Sequence, residues 1–287
     1  MTEAPPSLTA LLKHGVQRLA DAGVESPARE AWWIWDRVSG QPRAASVLTS
    51  SHAVPVSVAA RFEATVARRL SGEPLAYALG ETGFRLLTIK TDRRALIPRP
   101  ETEGLVDLIL RRKPDGRVID VGTGTGCIAL SLAREGHYDL VVGVDRSRDA
   151  LALAAENVAL SGLPVRLVLG DLTTMAGTGT FDIVVSNPPY VTACEHAELS
   201  PSVREWEPAE ALVSGDDGMV AIGRLLEESA AVLNPGGWLV LEVDARRAEL
   251  SRRCAEDKGW VELSLLDDLF GRARYLLARR SEQSDVG

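Results

Sequence analysis

The feature that most constrains the fold is a regular alternation of short apolar runs and helical segments between residues 105 and 280. Short apolar runs are typical of buried strands, and the longer segments between them are typical of helices that cover a sheet. The pattern therefore predicts an α/β domain at 105–280, with a doubly wound, seven-stranded, mostly parallel sheet. The predicted strands are Arg117–Val121, Leu140–Val144, Val165–Leu169, Phe181–Val185, Trp238–Val243, Val261–Leu266 and Arg274–Ala278. The predicted helices include Ile128–Arg134, Ala150–Leu160, Met219–Leu233 and Arg246–Lys258.

The first 71 residues show helical periodicity instead. Leucines and a valine recur at three- and four-residue steps over Leu8–Leu19, and Pro27 opens a second segment that Gly40 ends. A third segment runs to Leu70. The second segment carries three tryptophans, Trp32, Trp33 and Trp35. We interpret them as a packing face between helices, with a partner-binding surface as the alternative. The sequence predicts a small helical domain at 1–71.

A linker with a β-hairpin is predicted at 72–104. Apolar residues in short β-like runs lie at Phe84–Ile89, and Pro98 and Pro100 indicate an extended segment. Residues 281–287 are predicted to be a disordered tail.

Charge and composition restrict the function. The 287 residues are 45% hydrophobic and 25% charged, which predicts a folded, soluble chain. The net charge of -8 disfavours a protein that binds nucleic acid by neutralising phosphates. Neither a membrane-spanning run nor a secretory signal is evident, so we expect a cytoplasmic protein. Cysteines and histidines are too scattered to suggest a disulfide framework or a metal site. These residues are Cys127, Cys194, Cys254, His14, His52, His137 and His196.

A glycine-rich loop follows the first predicted strand, at Gly122, Thr123, Gly124, Thr125 and Gly126. Glycines let the backbone turn tightly and approach a ligand closely, although such a loop alone is a weak signal. The next strand delivers Asp145 at its carboxyl end, where a carboxylate can accept from both hydroxyls of a ribose. Together the two features predict a nucleoside-binding site.

Two cofactor classes fit such a site, dinucleotides and S-adenosylmethionine. A dinucleotide loop usually reads G-x-G-x-x-G, whereas this one reads G-x-G-x-G and follows Asp120. A carboxylate would repel a pyrophosphate but suits the amino group and sulfonium of S-adenosylmethionine; alternatively, Asp120 only caps the turn. After the third strand, Asp171 either accepts from an adenine amino group or is an ordinary turn aspartate.

The strongest chemical signal follows the fourth strand, at Asn187-Pro188-Pro189-Tyr190. Consecutive prolines remove two amide donors and stiffen the backbone, so that carbonyl oxygens project in fixed directions. The side-chain oxygen of Asn187 and the carbonyl of Pro188 can accept the two hydrogens of a planar NH2 group, while Tyr190 stacks on its face. The corner predicts an amide or aryl amine as methyl acceptor. The alternative is a proline-rich turn that only ends the strand.

With these motifs, the sequence resembles the glutamine-N5 methyltransferases that modify peptide-chain release factors, the PrmC/HemK family. The resemblance covers most of the chain and includes Gly72–Tyr77, Leu96–Glu103 and Glu207–Gly218. General adenine-N6 methyltransferases share the Asn-Pro-Pro-Tyr corner, but they lack the Leu96–Glu103 stretch and the small helical domain before it.

The resemblance implies a class I, Rossmann-like methyltransferase fold with S-adenosylmethionine as donor and S-adenosylhomocysteine as product. It implies that the acceptor is the glutamine of a release factor's Gly-Gly-Gln loop, and that the N-terminal helices recognise the substrate. Arg99 and Glu101 are either ligand contacts or hinge residues. By resemblance, the cofactor lies on Gly122–Gly126, Asp145, Leu172 and Asn187, and the acceptor glutamine on Asn187–Tyr190.

The chain departs from the family after Glu242. The family usually continues with a glycine and, shortly after, a glutamine, whereas this chain reads Val243-Asp244-Ala245-Arg246-Arg247. The strand end is expected to lie beside the Asn-Pro-Pro-Tyr corner, so the change bears on the substrate more than on the reaction.

The predicted function is methyl transfer to the N5 atom of a release factor glutamine, with no membrane association and no stable nucleic-acid binding. One alternative is an adenine-N6 methyltransferase acting on DNA or RNA, which needs a flipped base and a basic track. The other is a catalytically inactive nucleoside-binding partner protein. The net charge disfavours the first, and the intact Asn187 corner disfavours the second.

Overall fold

The computed structural model describes residues 5–41, 43–48, 50–174 and 176–282. The helices are α1 (Leu8–Asp21), α2 (Pro27–Ser39), α3 (Arg43–Leu48), α4 (Val56–Leu70), α5 (Leu75–Leu79), α6 (Pro100–Arg112), α7 (Cys127–Glu135), α8 (Arg148–Ser161), α9 (Ala193–Glu198), α10 (Pro201–Arg204), α11 (Val220–Val232) and α12 (Ala248–Asp257). The strands are β1 (Glu81–Phe84), β2 (Leu87–Lys90), β3 (Asp115–Val121), β4 (His137–Asp145), β5 (Val165–Leu169), β6 (Phe181–Ser186), β7 (Leu233–Glu242), β8 (Val261–Asp267) and β9 (Ala273–Arg279).

The chain divides into two compact units. One comprises the described residues up to Gly80 together with Pro201–Trp206, and the other comprises Glu81–Ser200 and the described residues from Glu207 onward. The predicted linker, 72–104, is therefore shared between the units: α5 belongs to the first, and the hairpin β1–β2 to the second. Residues 283–287 of the predicted tail lie outside the described residues.

The N-terminal unit is helical. Its first helix, α1, begins after Ser7, whose side chain accepts from the backbone N–H of Ala10. The helix α2 has proline in its first turn and ends at Gly40 in the left-handed conformation, which glycine adopts without a steric penalty. Leucines of α1, Ile34 of α2 and Phe62 of α4 form its apolar core.

The three tryptophans of α2 have different environments. Trp35 is buried in the core and donates from Nε1 to the Ser46 hydroxyl at 2.8 Å. Trp32 packs at the edge of the core, whereas Trp33 is 44% exposed, with the Arg29 guanidinium over its ring. The predicted packing face therefore holds for Trp35 and in part for Trp32.

The second unit contains the predicted sheet. Within the described residues it has seven strands in the order β5-β4-β3-β6-β7-β9-β8. Neighbouring strands from β5 to β7 are parallel, and only β9 and β8 pair antiparallel to their neighbours. The predicted doubly wound, mostly parallel sheet is confirmed.

Helices cover both faces of this sheet because the side chains of its strands alternate. In β3, Val118 packs with apolar residues of α6 and α7, whereas Ile119 packs on the other side with Ile222 and Leu225 of α11. Strands buried on both faces read as continuous apolar runs, which is why their positions could be predicted.

The order of the strands creates a switch point at β3. The chain proceeds from β3 to β4 and β5 on one side, then returns to β6 on the other side of β3. In open α/β sheets, ligands bind outside the carboxyl ends of the strands at such a point. The glycine loop follows β3, and the Asn187 corner follows β6, so both predicted motifs lie there.

One predicted segment differs. Pro98 and Pro100 indicate an extended segment in the linker 72–104, but α6 begins at Pro100. Proline at the first helical position loses no hydrogen bond, since that N–H has no partner within a helix, and its fixed φ suits the helix. Glu101 and Glu103 in the first turn add a favourable interaction with the helix dipole.

Candidate active site

The site is a cavity of about 360 Å³ at the carboxyl edge of the large sheet. Cavities of this size typically hold small molecules. The end of β3, the end of β4, the turn after β5 and the corner after β6 all contribute to its walls, as do Leu96–Arg99 and the start of α11. The lining includes these predicted site residues: Gly122, Thr123, Gly124, Thr125, Asp145, Asp171, Leu172, Asn187, Pro189 and Arg99.

Backbone hydrogen bonds hold the glycine loop against β4. The N–H groups of Gly122 and Thr123 both donate to the carbonyl of Val144, at 2.8 and 2.9 Å. At Gly124, φ is +55°, a conformation that favours glycine, and its N–H donates to Asp145 Oδ2 at 2.9 Å. Gly126 caps the start of α7. The loop therefore presents its backbone to the cavity.

Asp145 lies at the end of β4, as predicted. Its Oδ2 accepts from Gly124, and its Oδ1 accepts from the N–H of Ser147 at 2.9 Å. Burial raises the pKa of the Asp145 carboxyl, while these two N–H bonds lower it. A carboxylate oxygen has two acceptor positions, so each oxygen retains capacity for a ligand hydroxyl. The geometry suits the predicted ribose contact.

Asp120 lies beneath the loop and is completely buried. Its Oδ2 accepts from the Thr123 hydroxyl at 2.6 Å and from the N–H of Ala129 at 3.2 Å. Asp120 thereby connects the loop to α7, which favours its interpretation as a turn cap. Its Oδ1 is buried with no hydrogen-bond partner within the described chain. Contact with a cationic ligand stays a prediction.

Burial raises the pKa of Asp120 to about 7, and this predicts a pH effect on stability. An unfolded aspartate titrates near pH ~3.9, so between the two values the folded chain binds this proton more tightly. We expect the resulting stability to be lost progressively as pH rises from about 4 to about 7, at up to about 1.4 kcal/mol per pH unit. Urea unfolding of Asp120→Asn at pH 5 and pH 8 should show a smaller difference than in the unmodified chain. The exposed Asp149→Asn should keep the original difference, and an unchanged difference in D120N would contradict the assignment.

The turn after β5 carries Asp171 and Leu172. Asp171 is exposed and pairs with Arg224 of α11 at 2.9 Å. Leu172 has a φ of +51°, unusual for a residue other than glycine. Both line the cavity, and an adenine contact for Asp171 stays a prediction.

The Asn-Pro-Pro-Tyr corner begins directly after β6. The Ser186 hydroxyl donates to the carbonyl of Val121 at 2.6 Å, which connects the corner to the strand that carries the glycine loop. Asn187 and Pro189 line the cavity, whereas Pro188 is buried. Tyr190 packs against the apolar core around α11 and α12. Its phenol has a pKa above the ordinary value because of burial and the nearby Glu242 carboxylate.

Arg99 and Glu101 have different positions. Arg99 lines the cavity, and its guanidinium binds the buried carboxylate of Glu207 at 2.5 Å. Glu207 also accepts from the N–H of Ile97 at 3.1 Å, so it holds the Leu96–Arg99 wall in place. Glu101 lies in the first turn of α6, 3.5 Å from Arg272. Arg99 therefore borders the cavity and Glu101 is not among its lining residues, and a ligand contact of either stays a prediction.

Two residues of the site, Thr102 and Glu242, were not predicted individually from the sequence. Asn187 Nδ2 donates to the Thr102 hydroxyl at 3.1 Å, which in turn donates to Glu242 Oε2 at 2.7 Å. Both lie inside stretches noted in the sequence, but their partners are 85 and 140 residues away. No local pattern signals such a contact.

The segment after Glu242 forms an ion-pair cluster. Arg247 binds both carboxylate oxygens of Glu195, at 2.9 and 2.8 Å, and donates from Nε to the carbonyl of Asp217 at 2.7 Å. Arg246 pairs with Glu195 and Asp244. Glu195 belongs to the capping box of α9, which follows the Asn-Pro-Pro-Tyr corner. These ion pairs connect the residues that follow Glu242 to the segment beyond Tyr190.

Arg246 and Arg247 offer a matched test of this cluster. The Arg247 side chain is 11% exposed and the Arg246 side chain 62% exposed. Charge-assisted hydrogen bonds contribute more when they are shielded from water. We expect Arg247→Met to lower the free energy of unfolding by about 1 to 3 kcal/mol, and Arg246→Met by under about 1 kcal/mol. Urea unfolding measures both, and equal losses would show that burial of Arg247 is not what matters.

Within the described residues, no group of three or more histidine, cysteine or acidic side chains is arranged to hold a metal ion. No helix in the same part of the chain is both long and apolar enough to cross a membrane.

Comparisons with known proteins agree with this geometry. The family described as PrmC N-terminal domain matches residues 10–80, and the family described as methyltransferase small domain matches residues 101–201. A solved methyltransferase from Pyrococcus furiosus shares the fold, with a TM-score of 0.53 and 21% identity over 75% of this chain and 97% of that chain.

Curated relatives extend over nearly the whole chain. A release factor glutamine methyltransferase of Deinococcus radiodurans is 41% identical over 96% of this chain and 99% of the relative. One from Cereibacter sphaeroides is 39% identical over 93% of this chain and 96% of the relative. At this identity and coverage, the chain belongs to the release factor glutamine methyltransferase family.

Proposed function

We propose that this chain transfers a methyl group from S-adenosylmethionine to the side-chain nitrogen of the glutamine in a release factor's Gly-Gly-Gln loop. One observation carries the proposal: the glycine loop with Asp145, which suits a nucleoside, and Asn187, which suits an NH2 group, line the same cavity. A donor site and an acceptor site that share one cavity can bring their reacting atoms together without a second binding step.

The donor side of the cavity fits S-adenosylmethionine. Asp145 offers carboxylate oxygens for ribose hydroxyls, and the backbone of Gly122–Gly126 leaves room for a ligand close to the chain. Leu172 adds apolar surface, and Asp171 offers an acceptor for an adenine amino group. When bound, S-adenosylmethionine supplies an electrophilic methyl group on a sulfonium, and S-adenosylhomocysteine is the expected product.

The part of the cavity at Asn187, which we call the acceptor side, compensates for the weak nucleophilicity of an amide by positioning its nitrogen. The nitrogen lone pair of an amide is delocalised, so the nitrogen must be held in line with the methyl group. Asn187 Oδ1 and the Pro188 carbonyl can accept its two hydrogens, and these bonds strengthen as positive charge develops on nitrogen. As the nitrogen–carbon bond forms, the bond between the methyl carbon and the sulfonium sulfur would break and leave S-adenosylhomocysteine, and one proton would then pass from the nitrogen to solvent. Arg99 borders the same cavity with its charge paired to Glu207, whereas Tyr190 packs behind the corner against the apolar core, so its predicted stacking on the acceptor stays a prediction.

The similarity to release factor glutamine methyltransferases supports a release factor as the partner. A release factor presents its glutamine on a loop, and the N-terminal helical unit is the part of this chain that we assign to recognition of that partner. A substrate of this kind places the reaction in the cytoplasm, where translation takes place. No stable nucleic-acid complex is expected from a chain with a net charge of -8.

Labelling tests the proposal directly. The protein is incubated with methyl-labelled S-adenosylmethionine and either a release factor, the same factor with its Gly-Gly-Gln glutamine replaced by alanine, or duplex DNA. We expect label on the intact factor alone. Label on DNA would overturn the proposal in favour of adenine methylation, and the absence of label on every substrate would indicate a nucleoside-binding protein without catalysis.

A further inference from the structure

Three side chains from three separate elements form a continuous hydrogen-bonded chain at the acceptor side. Asn187 follows β6, Thr102 lies in the first turn of α6, and Glu242 ends β7. The distances are 3.1 Å from Asn187 Nδ2 to the Thr102 hydroxyl and 2.7 Å from that hydroxyl to Glu242 Oε2. Thr102 and Glu242 are 2% and 1% exposed, so water does not compete for these bonds.

The direction of the chain follows from the available hydrogens. An ionised carboxylate only accepts, so the single hydrogen of the Thr102 hydroxyl is committed to Glu242. The Thr102 oxygen can then only accept from Asn187, and it does so from Nδ2. Since the nitrogen of the Asn187 amide faces Thr102, its Oδ1 is the atom left for the cavity that Asn187 lines.

Burying the Glu242 carboxylate in its ionised form is energetically unfavourable, which suggests that this residue has a functional role. Burial raises the pKa of Glu242 to about 7, against the hydrogen bond from Thr102 and the attraction of Arg274. The negative charge of Glu101 raises it further. Buried ionisable groups seldom add net stability, whereas fixing one arrangement of a polar group is a recognised role for them.

We propose that Thr102, with its hydroxyl committed to Glu242, is a positioning residue that holds the Asn187 amide with Oδ1 toward the methyl acceptor. This inference rests on the proposed function. It assigns to Thr102 and Glu242, which lie outside the Asn-Pro-Pro-Tyr corner, a role in distinguishing the nitrogen end of the acceptor amide from its oxygen end.

The orientation decides which end of the acceptor amide is methylated. The oxygen and the NH2 group of a glutamine amide are nearly equal in size, so shape alone does not separate the two ends. With Oδ1 of Asn187 presented, the NH2 end is attracted and the oxygen end is repelled. With the Asn187 amide reversed, the preference would invert, and the acceptor oxygen would take the place of the nitrogen. The same oxygen also disfavours a glutamate carboxylate, which only accepts.

Two substitutions at one position test the proposal. Thr102→Val keeps the shape but removes the hydroxyl, so both orientations of the Asn187 amide become available. Thr102→Ser keeps the hydroxyl. With the release factor as substrate at pH 8, where Glu242 is mostly ionised, we expect T102V to lower kcat about 5-fold to 30-fold and T102S to stay within about 3-fold of the unmodified chain. The dissociation constant for S-adenosylmethionine should change by less than about 3-fold in both.

The outcomes separate this inference from the function on which it rests. If the unmodified chain does not label the release factor glutamine, the proposed function fails. If it does, and T102V keeps its kcat, the positioning role of Thr102 is wrong. Equal losses in T102V and T102S would likewise contradict it, because they would follow from altered packing and not from the hydroxyl. Thermal unfolding of both variants, with the exposed Thr88→Val as control, identifies any loss of folded protein.

Discussion

Asn187→Ala lowers kcat for release factor methylation by about 100-fold to 1,000-fold, the usual effect of removing one preorganised group that stabilises developing charge. The reason is the place of Asn187 in the cavity: its Nδ2 donates to Thr102, which leaves Oδ1 for the proposed contact with the acceptor amide. Its contact with the NH2 group strengthens as charge develops on nitrogen, so the loss falls mainly on the transition state. Single-turnover kinetics at saturating cofactor measure the change.

The affinity for S-adenosylmethionine provides the contrast. We expect its dissociation constant, measured by calorimetry, to change by less than about 3-fold in N187A. Asn234→Ala is a matched control, because Asn234 lies near the opposite end of the sheet and its side chain bonds only to Asp182 among the hydrogen bonds the structure describes. N234A should keep the unmodified kcat. Equal losses in kcat and cofactor affinity for N187A would contradict the acceptor role of Asn187.

The strands and the glycine loop could be predicted from sequence because their signals are local. Strands buried on both faces must be apolar throughout, and a loop that turns at a strand end needs glycine where φ is positive, as at Gly124. Asp145 could be placed because it ends such a strand. Each of these inferences needed only neighbouring residues.

The support behind the corner could not be predicted, because its contacts join residues far apart in the chain. Thr102 meets Glu242 only after α6 has packed on the sheet, and the start of α6 was itself mistaken for an extended segment. Asp120 shows the same limit in another way. From the sequence, Asp120 was either a ligand contact or a turn cap; its bonds to Thr123 and Ala129 favour the cap but depend on the packing of α7, and the ligand contact stays a prediction.

The ion pairs around Arg247 stabilise the segment beyond Tyr190. Arg247 connects the residues that follow Glu242 to both Glu195 and Asp217. The cluster does not enter the cavity, since its members are absent from the described lining. Its contacts therefore lie outside the cavity, and an effect of the sequence after Glu242 on the choice of substrate stays a prediction.

Asp145→Ala should weaken the binding of S-adenosylmethionine by about 1.5 to 3 kcal/mol, or about 10-fold to 150-fold in Kd. The substitution removes the acceptor for the ribose hydroxyls, and it also releases the N–H groups of Gly124 and Ser147 that Asp145 now holds. Both consequences weaken the binding of the cofactor and leave the contacts with the acceptor amide unchanged. At saturating S-adenosylmethionine, kcat should therefore recover to within about 5-fold of the unmodified value, the reverse of the pattern expected for Asn187.

Two further variants separate ligand contact from loop support. Asp145→Asn keeps the shape and one acceptor oxygen, so it should lose less affinity than D145A, although a neutral oxygen accepts more weakly than a charged one. Asp149→Ala removes an exposed carboxylate four residues further along, in the first turn of α8, and should leave the Kd unchanged. If D145A binds S-adenosylmethionine as tightly as the unmodified chain, Asp145 does not contact the cofactor. The nucleoside site would then have to rest on the backbone of the glycine loop alone, which by itself is too common a structure to select a ribose.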